Sequence, residues 1–140
     1  QIKIGCAILC EEVRREYNGR AIILGAAMTG PPIDQQANSL ARLALYIEIF
    51  AKNCPVVEVR LWDKDRSLAI IEAEFNLETK EEFEAENPET RYEDVEIGAV
   101  MVVNQSDLTV FGDSVYQLQM KSKDESEWIL GREFYFPVAT

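Results

Sequence analysis

From Val56 to Phe75 the chain alternates between apolar and polar side chains with a period of two. Val57, Val59 and Leu61 fall on one side of the outbound arm, with Glu58, Arg60 and Trp62 on the other. On the return, Ala69, Ile71, Ala73 and Phe75 share a face opposite Glu72 and Glu74. Successive side chains of a pleated strand point to opposite faces, so this rhythm predicts two half-buried strands. Between them Asp63-Lys64-Asp65-Arg66-Ser67 carries no apolar side chain, which suits a hairpin loop. A hairpin with one apolar face needs a second layer to cover it, and that requirement constrains the fold more than any other feature.

The same rhythm recurs along the chain. Ile4 to Leu9 is apolar on both faces, as in a strand enclosed by a sandwich. Glu11 to Tyr17 is ambiguous: Cys6, Cys10, Val13 and Tyr17 fit helical spacing, whereas Asn18-Gly19 fits either a helix stop or a two-residue hairpin turn. The expectation is a strand to Cys10, an irregular or single-turn segment, and a strand from Arg20 to Ala26. Pro31 and Pro32 remove two ladder donors, which makes the stretch from Thr29 to Asn38 a loop. Ala41, Leu43, Leu45, Ile47 and Ile49 then alternate with Arg42, Tyr46 and Glu48.

Thr79-Lys80-Glu81-Glu82 has the capping-box pattern, predicting a short helix to about Ala85 that Asn87-Pro88 ends. Val95 to Val103 reads as a strand and Asn104 to Asp113 as a connection, with a short extended piece at Leu108 to Phe111. Tyr116, Leu118 and Met120 mark another strand. Trp128, Leu130, Phe134 and Phe136 mark the last, all expected on one face. Seven or eight strands with at most one short helix predict an all-β fold, an antiparallel β-sandwich formed by residues 1–140 as one domain. The alternative is an α+β fold with an N-terminal helix.

Several segments resemble a bacterial family of domains of unknown function. They are Ala7-Ile8-Leu9-Cys10-Glu11-Glu12-Val13, Asn18 to Gly25, Val57 to Asp65, Gly112 to Lys121 and the closing Glu133 to Phe136. The resemblance spans most of the chain and implies an immunoglobulin-like sandwich. It implies no activity and no site residue. The hairpin loop of that family has an Asp-x-Asp-Gly pattern, and here Arg66 stands in the glycine's place.

Composition narrows the chemistry. The chain has no histidine, which excludes Ser-His-Asp and Cys-His catalysis and imidazole metal ligation. No phosphate-binding loop is visible and no cofactor is expected. The formal charge of −11, from 25 acids and 14 bases, disfavours nucleic acid and anionic lipid as partners. No apolar run is long enough to span a bilayer, and Gln1-Ile2-Lys3-Ile4 has no signal-peptide pattern. Three cysteines cannot all pair internally, which favours a reducing, cytoplasmic location.

Three constellations are candidates for function. Between Glu72 and Glu96 stand eleven acids and two bases, a net −9 of the total −11. Glu78, Glu81, Glu82, Glu84, Glu86 and Glu89 form its centre, either a solvated loop or a docking surface for a basic protein partner. At the opposite end, Asp63, Asp65, Asp107 and Asp113, with Asn104 beside them, are candidates for a C2-like Ca²⁺ tip, since calcium takes about six to eight oxygens. Lys64 and Arg66 interrupt that loop, and aspartate favours turns in its own right. Glu72 and Glu74, about 7 Å apart on one strand face, are candidates for carboxylate hydrolysis, although outward strand glutamates are ordinary.

Cys6 and Cys10 are expected as small core hydrophobes, too far apart on a strand to pair, at about 13 Å. Cys54, beside Pro55 at a strand entrance, could be exposed, with Lys52 nearby to favour a thiolate but no general base. The leading expectation is a non-enzymatic interaction or structural module, with the calcium module second and the hydrolase third. Free strand edges would also permit a homo-oligomer.

Overall fold

The computed structural model describes all 140 residues, Gln1 to Thr140. The first five strands are β1 (Ile2–Cys10), β2 (Glu12–Arg15), β3 (Ala21–Leu24), β4 (Ser39–Lys52) and β5 (Val56–Asp63). The others are β6 (Leu68–Asn76), β7 (Glu96–Thr109), β8 (Ser114–Ser122) and β9 (Ile129–Phe136). The lone α-helix, α1 (Lys80–Glu86), lies between β6 and β7 and is followed by a 3-10 turn, Tyr92–Asp94. All the strand ladders are antiparallel. The expected all-β sandwich is therefore what forms, and no helix is long and apolar enough to cross a membrane.

One sheet has the order β1-β4-β7 and the other β6-β5-β8-β9, with β2 and β3 forming a separate two-stranded ribbon. Alternation assigns the faces. Leu43, Leu45, Ile47 and Ile49 of β4 are buried with Ala7 and Leu9 of β1 and Met101 and Val103 of β7. They meet Val57, Val59 and Leu61 of β5, Tyr116, Leu118 and Met120 of β8, and Phe134 and Phe136 of β9 in one core cluster. Each large apolar side chain buried this way contributes roughly 1.5–3 kcal/mol. At the open side between β1 and β9, Arg132 reaches across the layers and donates to the Ala7 carbonyl at 2.6 Å.

Three local expectations are corrected. Glu12–Arg15 is a strand, not an irregular or helical segment: β2 pairs with β3 and the turn falls at Asn18-Gly19, where Gly19 has φ 82°. The ribbon lies on the outer face of β4, where Val13 packs with Cys10 and Ala44 and borders Ile8 and Tyr46. That cover explains why β1 is apolar on both sides. Asn104–Thr109 is strand, not connection, because β7 pairs with β4 from Lys52↔Glu96 to Ser39↔Thr109.

Next, the last strand does not keep one face from Trp128 to Phe136. The register slips between Leu118 and Gln119 opposite Gly131, so Leu130 pairs with outward Gln119 and is exposed. A bulge reverses the facing of everything beyond it. The stretch from Thr29 to Asn38 is a loop, as expected, and it also packs into the core. Ile33 is fully buried, and its N–H and C=O bond to Pro137 and Ala139 in a parallel bridge to Val138 that covers the end of β9.

Candidate functional site

The aspartate tip forms, but not as a cation site. Asp63 ends β5 with no exposed surface. Its Oδ1 accepts from the Asp65 and Arg66 N–H groups at 3.0 and 3.1 Å, and its Oδ2 meets Arg66 Nη1 at 3.1 Å. The same Nη1 donates to Ser114 Oγ at 3.1 Å, and the guanidinium lies 3.8 Å above the Phe111 ring. The two loops do emerge at one end, as expected, but an arginine occupies the space between them.

The other members are dispersed. Asp113 accepts from Tyr135 Oη at 3.0 Å, a bond that raises the tyrosine's pKa. Asp65 is exposed, and Asp107 is an exposed β7 residue at φ 54°. Nowhere do three Cys, Asp or Glu side chains gather around a point that would hold a metal ion. The expected convergence of Asp63, Asp65, Asp107 and Asp113 is therefore corrected. The first is neutralised within its own hairpin, and aspartate serves the turns themselves.

Asn104 has a different task from the one expected. Its Oδ1 accepts from the Val13 N–H and its Nδ2 donates to the Val13 C=O, both at 3.0 Å. A side-chain amide thus takes the place of a neighbouring strand and clips the β2–β3 ribbon to β7. Replacing Asn104 with alanine leaves both Val13 groups without these partners. We expect hydrogen exchange at the Val13 amide to accelerate on the order of tenfold or more, with the β5 and β8 amides unchanged. Unchanged exchange at Val13 would show that packing alone holds the ribbon.

The acidic segment joins the sheets at the end opposite the aspartate tip, since Asn76 pairs with Val56 at the start of β5. It is an ordered crossover. Thr79 caps α1, accepting from the Glu82 N–H at 3.2 Å, and Asn87 closes it through bonds to the Phe83 carbonyl. Tyr92 is the anchor: it is buried, packs edge-on against Phe83, and donates from its hydroxyl to the Glu78 carbonyl at 3.1 Å. Burial pushes its phenol pKa up.

Three of the carboxylates on and around α1 are used internally. Glu84 accepts from the Tyr92 N–H at 3.1 Å, and Glu93 pairs with Lys80 at 2.6 Å, which holds the Glu93 pKa below the ordinary carboxylate value. The carboxylate of Glu82 stays within the cap, 3.1 Å from Thr79 Oγ1. Glu81, Glu86 and Glu89 are exposed, and like half-buried Glu78 none has a base within salt-bridge range.

Glu72 and Glu74 lie on the outer face of β6. Glu74 pairs with Lys123 at 2.9 Å and Glu72 stands opposite Arg60 in the ladder. Nearby Glu58 pairs with Lys121 at 2.7 Å. Arg60 lies 4.0 Å from the ring centroids of both Trp62 and Trp128, so each indole presents a face to the guanidinium. This face of β5 and β8 is a lattice of matched charges, and it leaves neither indole free on the side that Arg60 covers. The sequence spacing found the two glutamates but not Trp128, which only the β8–β9 register brings beside them.

The cysteines are free thiols. Cys54 is buried, not exposed, with its Sγ 3.4 Å from the Val56 carbonyl. Cys10 is buried 3.6 Å from the Ala44 carbonyl, and burial raises its pKa. Cys6 is half-buried on the same outer face as Ile8. Compared with protein-family models, curated proteins and solved structures, the chain matches none.

Proposed function

We propose that the protein is a non-enzymatic interaction module that presents the α1 crossover to a basic protein partner. One observation carries this reading. Glu81 and Glu86 stand on a capped helix, Glu78 and Glu89 flank it in a crossover anchored by buried Tyr92, and none of the four has a base within salt-bridge range. Carboxylates on an ordered scaffold lose little freedom on pairing with Lys or Arg and steer association over long range. The proposed immunoglobulin-like character of the sandwich is compatible with such a role, as a rigid frame carrying a recognition loop.

The test uses a lysine- and arginine-rich peptide titrated into the whole protein at low and at physiological salt. Binding is expected to weaken as salt rises, because screening shortens the reach of surface charge. The combined Glu81→Gln, Glu86→Gln and Glu89→Gln variant is expected to bind at least tenfold more weakly with an unchanged melting temperature. Equal affinity in that variant, or no binding by the parent, overturns the reading.

A further inference from the structure

A recess of about 310 Å³ lies where β1 ends, β4 begins and the segment after β3 passes between them. It is remote from the acidic crossover in the fold and independent of the role proposed for it. Pro31 and Leu40 give it an accessible apolar wall over the core residues Leu9 and Leu43, which are almost fully covered. Its size falls at the lower end of small-molecule sites, roughly 300–1,000 Å³, which are mostly apolar with a few placed polar groups.

Two charged side chains line it, Glu11 and Arg42, and they differ in what they already hold. Arg42 faces Glu12 at 3.5 Å, and that same Glu12 oxygen also meets Arg14 at 3.4 Å. Glu11 has no base within salt-bridge range. Its backbone N–H donates to the Leu24 carbonyl at 3.0 Å, fixing it at the rim. Its side chain lies over Gly25, where a Cβ would stand 3.0 Å from Glu11 Cβ and 3.3 Å from Oε2. Gly25 has φ 68°, so glycine both permits this backbone and leaves room for the carboxylate to lie along the recess.

We infer that the recess binds a small organic ammonium ion, its apolar body against Pro31 and Leu40 and its charge on Glu11.

The test is a titration of the full chain, followed by backbone amide NMR, with phenethylammonium and with 3-phenylpropionate. These probes share a ring and a two-carbon stem and differ in charge. The ammonium is expected to shift amides near residues 9–11, 25–31 and 40–43, and the carboxylate is expected to bind several-fold more weakly. Glu11→Gln is expected to weaken the ammonium roughly fivefold, the upper range for an exposed ion pair, with an unchanged melting temperature. Ala27→Phe, placed to fill the recess, is expected to abolish binding while the core amide shifts persist. Preference for the carboxylate, equal binding by Glu11→Gln, or shifts confined to other surfaces overturns the inference.

Discussion

Replacing Asp63 with alanine is expected to lower the unfolding free energy by about 3 kcal/mol, within the range for breaking a buried ion pair. The carboxylate is inaccessible and accepts from two backbone N–H groups of its own turn while pairing with Arg66. Removing it leaves the Asp65 and Arg66 amides unpaired. It also releases a guanidinium that otherwise joins the β5–β6 turn to Ser114 at the start of β8. Asparagine keeps an oxygen for the turn amides but puts an NH2 donor where Oδ2 accepts from Arg66, so Asp63→Asn is expected to cost less than the alanine variant while still losing the ion pair. Urea unfolding at neutral pH measures both variants. A shift in midpoint at constant m-value supports this account, and a loss below about 1 kcal/mol for the alanine variant removes it. Millimolar Ca²⁺ is expected to leave the parent's melting temperature unchanged, because the carboxylate at the tip is already satisfied.

Gly30→Ala is expected to destabilise by a comparable amount, about 3 kcal/mol, at the upper end for overpacking. A Cβ at Gly30 would sit on the Phe136 ring, 2.6 Å from Cδ1. That ring cannot withdraw. It is fully buried and packs edge-on against Tyr116, with centroids 4.8 Å apart and planes at 71°. The backbone cannot withdraw either, because the Gly30 N–H donates to the Tyr135 carbonyl at 2.7 Å. Shrinking the ring supplies the diagnostic: in Gly30→Ala combined with Phe136→Leu, the alanine should cost less than it does alone. Simple additivity of the two changes would show that the clash is relieved elsewhere.

These two sites differ in how far the sequence announces them. The Asp63–Ser67 hairpin was plain from the alternation of its arms and from a loop without apolar side chains. Its arginine was not, since Arg66 gains its meaning from Ser114 and Phe111, more than forty residues downstream. The helix was legible for a local reason: Thr79 and Glu82 bond within one turn. Tyr92 as its anchor was not, because nothing near Tyr92 in the chain shows what will cover it. Trp128 and Leu130 were misplaced by one bulge, a feature with no side-chain period of its own.

A two-residue period is a property of neighbouring side chains, and it alone determined that this chain forms strands, which face of most of them is buried, and that the fold is all-β. Absence of histidine and the concentration of charge between Glu72 and Glu96 were equally available before folding. Only the tertiary structure decided which strands pair, where the register slips, and that Asn104 bonds Val13 across 91 positions. Such contacts depend on geometry between distant segments, whose closure carries an entropy cost that no local pattern encodes. The recess beside Glu11 belongs to this second kind: its walls come from three separate stretches of chain that meet only once the sheets have closed.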